Sequence, residues 1–227
     1  MVSTEKIKFP ISRFSAKGLT CRRGGRMVFE NLEFEVATGE YLHLKGSNGS
    51  GKSTLLRLLA GLLPAYRGNV CFGDDCIDGA AAARSGIMIY AGHQHGLKPV
   101  LTLRENCEAY YQLMTGSALT GDLLETAADG FALGDLIDRP LKYFSSGQKH
   151  RCALLRFLLL DRQVWLMDEP TVGLDADNRR RLEAIMAAHL KRGGIIVAAS
   201  HDPIGLEGKV VNLSDFRATA AHLEHWL

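Results

Sequence analysis

The chain has 227 residues, enough for one large domain with a substantial core and too few for two catalytic domains side by side. Its 27 basic and 25 acidic side chains leave a formal net charge of +2, which excludes a general electrostatic pull toward nucleic acid or anionic lipid. The most apolar segment, CALLRFLLLDRQVWLM from Cys152 to Met167, is broken by Arg156, Asp161 and Arg162, far short of the roughly 20 apolar residues that span a bilayer.

In chain order, the opening MVSTEKIKFP holds Lys6, Lys8 and Pro10 with no apolar stretch behind them, so no signal peptide is expected and the chain reads as cytosolic. Five cysteines, Cys21, Cys71, Cys76, Cys107 and Cys152, make an odd total without a C-x-x-C pair, and are expected to be reduced thiols. EYLHLK (40–45) alternates as a strand does, a glycine-rich loop follows, and TLLRLLAGLL (54–63) reads as a helix ended by Pro64. IMIY (87–90), VWLM (164–167) and IIVAA (195–199) are short and uncharged, as strands covered on both faces of a parallel sheet should be. Between Gln94 and Ser145 the pattern changes to helical spacing, as in LRENCEAYYQLM (103–114), and predicts a helical insertion. Arg179, Arg180 and Arg181 are read as the solvated face of a helix.

The loop GSNGSGKS, from Gly46 through Ser47, Asn48, Gly49, Ser50, Gly51 and Lys52 to Ser53, with Thr54 behind it, matches the pattern G-x-x-x-x-G-K-[ST] between a strand and a helix. Glycines let successive amides turn toward phosphate oxygens, and the helix adds its positive end. Lys52 is expected to reach the β- and γ-phosphates of ATP, and the Ser53 hydroxyl to ligate magnesium. Asp168, delivered by VWLM to the sheet edge, would hold the magnesium shell; Glu169 would orient or deprotonate the water attacking the γ-phosphate. Gln94 and His201 stand at the ends of two other strands, where ligands of open parallel sheets collect. Gln94 is expected to touch magnesium or water, and His201 the γ-phosphate.

A second cluster, SSGQ, holds Ser145, Ser146, Gly147 and Gln148 and precedes the helical run KHRCALLRFLLL, making another helix N-terminus suited to an anion. One nucleotide needs one cradle. A second copy placed head to tail would bring its Ser145 and Gly147 to the open γ-phosphate, with two nucleotides held about a twofold axis.

On these segments the chain resembles the ATP-binding cassette family over nearly its whole length. GSNGSGKS looks like the Walker A loop, Gln94 the Q-loop, FSSGQ the signature, VWLMDE the Walker B strand, Leu174–Asp175 the D-loop and His201 the switch histidine. The resemblance implies an α/β P-loop fold with a RecA-like parallel sheet core, an antiparallel β subdomain and a helical subdomain. One domain would fill residues 1–227, with 1–95 and 151–227 as core and 96–150 as the helical part. Ser146 stands where the family usually has glycine, and Arg23, in CRRGGRMVF, where it commonly has an aromatic ring; a guanidinium plane also stacks on a base.

Within the family, AGHQHGLKPVLTLREN (91–106) and the short spacing from Lys52 to Gln94 resemble the ATP-binding subunits of haem exporters in cytochrome c biogenesis. That implies a peripheral subunit on the cytoplasmic face of a bacterial inner membrane, attached to integral permease subunits. His93 and His95 are read as flanks of a loop facing such a partner rather than haem ligands. A soluble cassette ATPase acting on nucleic acid would carry coiled-coil insertions, a second cassette or basic patches, none of which the sequence has. A nucleotide sensor without turnover would not need Glu169 and His201.

Overall fold

A computed structural model of the chain describes residues 11–76, 86–202 and 204–217. The opening decapeptide, on which the signal-peptide expectation rests, lies outside the described residues. Two sheets organise the rest. Strands β1 (Arg13–Arg23), β2 (Arg26–Ala37), β4 (Arg67–Phe72) and β5 (Asp75–Cys76) form an antiparallel sheet in the order β2-β1-β4-β5. Strands β3 (Tyr41–Lys45), β6 (Met88–Ala91), β7 (Val164–Asp168), β8 (Ile195–Ala199) and β9 (Lys209–Asn212) form a parallel sheet in the order β6-β7-β8-β3-β9.

The uncharged strands are uncharged because both sides of the parallel sheet are covered. Side chains alternate along a strand, and in β7 Val164 and Leu166 join Leu42, Leu44, Val197 and the antiparallel sheet in one apolar cluster. Trp165 and Met167 point the other way, into a second cluster with Ile196, Ala198 and the helical layer. There the Trp165 ring lies 3.7 Å from the His189 ring, nearly parallel to it, and 5.0 Å from Phe157.

Helix α1 (Lys52–Leu59) joins the first cluster through Leu55, Leu56, Leu58 and Leu59. It stops before Pro64, and Gly61 turns the chain in a left-handed conformation. Helices α2 (Leu103–Thr115) and α3 (Gly121–Gly130) build the helical layer; a reciprocal Thr102–Glu105 capping box starts α2 and left-handed Gly116 ends it. Signature residues open α4 (Ser146–Leu154), which is followed by α5 (Arg156–Leu159), so KHRCALLRFLLL is two helical pieces meeting at Leu155. Helix α6 (Ala176–Lys191) returns the chain to β8.

The cysteine expectation is corrected by the hairpin. Cys71 and Cys76 face each other across the β4–β5 pair and are joined in a disulfide, while Cys21, Cys107 and Cys152 are free and buried. A two-strand register brought the thiols together, and spacing alone does not reveal a register. β9 was missed for a related reason: three of its four residues are exposed, so KVVN lacks the buried-strand signal.

Candidate functional site

Register, more than any single residue, assembles the site. Ala199 lies opposite Leu44 on one side and Asp168 on the other. The residues that follow these three strands, Gly46, Glu169 and His201, therefore emerge at the same sheet edge. A cleft of about 730 Å³ opens there, lined among others by Arg23, Val28, Asn48–Thr54, Glu169 and His201.

The glycine loop enters α1 through Gly51, at φ 103°. A side chain is excluded there twice over: the backbone is left-handed, and a Cβ would stand 2.6 Å from Val28 Cγ1. Among the described residues no side chain caps α1, so its first amides, which have no intrahelical acceptor, stay open to an anion. The Lys52 ammonium donates to the carbonyls of Gly46 (2.8 Å) and Ser47 (3.3 Å), which places it inside the loop at the mouth of the helix.

Ser53 Oγ donates to Asp168 Oδ1 at 3.0 Å, while Asp168 Oδ2 is buried with no hydrogen-bond partner among the described residues. Two hard oxygen donors side by side, one with an unused oxygen, fit a magnesium ion. No group of three or more His, Cys, Asp or Glu residues gathers for a metal among the described residues.

Glu169 is buried, with φ 53°, unusual for a residue with a side chain. Its backbone is held by a bond from its own amide to the Ala199 carbonyl (2.8 Å). Its Oε2 accepts from the His201 amide at 3.2 Å, and the His201 Nε2 lies 3.5 Å from Oε1. The carboxylate and the imidazole thus stand together at the cleft wall.

Gln94 is exposed and is not among the lining residues, whereas its neighbour His93 is. Sequence reasoning had set His93 aside, although the strand-end argument applied to Gln94 covers it equally. Ser145, Ser146, Gly147 and Gln148 also stay out of the cleft. Ser145 N-caps α4: its Oγ accepts from the Gln148 amide (3.2 Å), and Gln148 Oε1 accepts from the Ser145 amide (2.8 Å). Asp175 N-caps α6; the Asn178 amide bonded to its carboxylate at 2.8 Å holds its pKa below the ordinary value. Val28, Val172 and Asp202 complete the lining without having been singled out from sequence.

A glycine loop opening a helix beside a parallel sheet, with carboxylates at the end of the strand two places away in the sheet order, is the architecture of a P-loop nucleotide-binding cassette. The ABC transporter family model matches residues 29–172, and the chain belongs to that family, as an ATP-hydrolysing, transport-coupled member. It is 43% identical over 198 residues to the cytochrome c biogenesis ATP-binding export protein CcmA of Chelativorans sp. (strain BNC1), covering 86% of this chain and 95% of that one. A protein of the same name from Ruegeria pomeroyi is 40% identical over 206 residues, covering 91% and 93%. Among solved structures, a putative ABC transporter ATP-binding protein from Pyrococcus furiosus superposes with a TM-score of 0.80 at 20% identity, covering 91% of this chain and 100% of that one. A dimeric ATP-binding cassette with ADP and Pi bound superposes with a TM-score of 0.71 at 22% identity, covering 83% and 88%. These two establish likeness of fold.

Proposed function

We propose that the chain hydrolyses ATP for an export complex of cytochrome c biogenesis, as a peripheral subunit on the cytoplasmic side of a bacterial inner membrane. Its partners are a second copy of itself and integral permease subunits, CcmB with CcmC; the cargo is haem or a haem-loaded chaperone awaiting release. One observation carries the hydrolytic part: a buried carboxylate, Glu169, is fixed against His201 at the wall of the cleft that the phosphate loop lines. The pathway rests on about two-fifths identity, over nearly the full length, with proteins named for it.

In the proposed chemistry the amides of Ser47 to Thr54 and the Lys52 ammonium bind the β- and γ-phosphates. Lys52 exchanges its two carbonyl partners for phosphate oxygens. Ser53 and Asp168 hold magnesium, which supplies charge neutralisation on the phosphates when bound. Glu169 accepts a hydrogen bond from the attacking water, and His201 Nε2 donates to the γ-phosphate. Arg23 stacks on the base from the end of β1. Ser145, Ser146, Gly147 and Gln148 of the second copy close the γ-phosphate side, with Asp175 ordering the loop beneath them. Gln94 reaches the site after its loop moves inward.

The test is to purify Glu169→Gln protein from its own membranes in ATP and to identify by mass spectrometry what accompanies it. Integral proteins of cytochrome c biogenesis are the expected companions. A different permease would end the haem assignment and leave the ATPase, whereas recovery of ribosomes or DNA-bound proteins would end the membrane reading.

A further inference from the structure

Beyond the cleft, one set of contacts ties the loop after β6 to the backbone behind Glu169. That loop crosses from the parallel sheet to the helical layer, ending where Thr102 caps α2. Its position is set at His95. The half-buried Arg156 guanidinium on α5 donates to the His95 carbonyl at 2.6 Å and lies 5.1 Å from the Tyr110 ring centroid on α2. The His95 ring meets the His150 ring edge-on, with centroids 5.2 Å apart. His150 sits on α4, and its Nε2 donates to the Pro170 carbonyl at 2.9 Å, one residue after Glu169.

We infer that His150 is a positioning residue: it transmits the placement of the 92–102 loop and of α4 to the turn that aims the Glu169 carboxylate. Resting on the proposed function, the inference extends it to a residue that touches neither nucleotide nor magnesium. The physical basis is that, apart from the His201 amide and imidazole at its carboxylate and the Thr171–Ser200 hydroxyl bond farther along the turn, Glu169 has few other restraints. Its left-handed backbone is held by single bonds to Ala199 and Val172, and the Pro170 carbonyl that His150 engages belongs to the next peptide. An anchor at that carbonyl limits rotation of the whole turn. The His150 ring suits the contact as a neutral imidazole: burial depresses its pKa. Neutral His150 with its proton on Nε2 is the form that donates to a carbonyl.

The experiment compares the membrane complex carrying wild-type chain, His150→Leu or His150→Gln. Leucine fills the space but donates nothing; the glutamine amide can reach the same carbonyl. Expected for His150→Leu is a kcat lower by about tenfold with the KM for ATP within about twofold, since a misaimed group slows chemistry without weakening binding. Glutamine is expected to restore at least about half of the wild-type kcat. His150→Leu turning over at the wild-type rate, or His150→Gln no better than leucine, overturns the inference. Should leucine prevent folding, His95→Ala and the His95→Ala/His150→Gln pair replace it: effects that are less than additive support one shared path, and fully additive effects overturn it. A wild-type complex without ATP hydrolysis would overturn the proposed function and this inference together; a working wild type with an unaffected His150→Leu overturns this inference alone.

Discussion

The two helix N-termini that the sequence offers as anion cradles differ in one respect. α1 begins at left-handed Gly51 with no side-chain cap, so its first amides are unspent. α4 begins at Ser145 with a complete capping box, in which Ser145 and Gln148 satisfy each other's amides. The first is therefore ready for phosphate as it stands. The second is a closed helix end that, on the proposed function, must exchange part of its own hydrogen bonding for a ligand presented by another copy. A standing site and a conditional one teach that similar glycine and serine content says little about readiness; the cap decides it.

The comparison can be attacked at four points. Glu169→Gln leaves both termini intact and removes only the carboxylate, so ATP binding should persist while turnover falls by about a hundredfold to ten-thousandfold. Single-turnover kinetics would check the rate, and light scattering with ATP and magnesium should show the closed pair accumulating. Lys52→Ala attacks the standing site. Losing a charged donor to the phosphates should weaken ATP binding by about a hundredfold in calorimetry; unchanged affinity would mean that α1 is not the phosphate site.

The third varies pH and acts through the core instead of either terminus. His189, buried and stacked on Trp165, is held by burial at a pKa of about 3, against the ordinary 6.5. The unfolded chain therefore takes up the proton first. Stability is full above about pH 6.5 and is lost as pH falls from there toward 3. Between pH 7 and pH 5 the wild type should lose about 2 kcal/mol that a His189→Gln variant keeps, read from urea midpoints at the two pH values. That separates a change of stability from a change at the cradles. The smallest effect is expected at the conditional site: Ser145→Ala should destabilise the chain by about 1 kcal/mol, a fall of about 2–4 °C in Tm. Nucleotide binding to a single copy should be untouched.

Legibility in the sequence followed what each signal depends on. The phosphate loop was plain because its chemistry is local: glycines, a lysine and a serine must occur in one run. The buried strands VWLM and IIVAA were equally plain, since burial on both faces leaves no room for charge. What escaped depended on register or on loop path. Cys71 and Cys76 meet only because β4 and β5 pair as they do, and His93 rather than Gln94 lines the cleft because of how the chain leaves Ala91. The fold class could be read, and so could the strand ends that bring Glu169 and His201 to the cleft; the place of Gln94 could not, because no periodicity governs adjacent loop residues.

Gly147 shows how far a single close approach reaches. A Cβ there would stand 2.8 Å from the carbonyl oxygen of Gly173, in the loop between Glu169 and Asp175. The demand for glycine is thus imposed by the chain's own packing before any second copy arrives. In a mixed pair with one working and one silent copy, the silent one would have to keep Gly147 merely to fold that loop correctly. A surviving glycine at 147 is evidence of an intact chain, and turnover of the nucleotide that would face it on the proposed function must be judged from other residues.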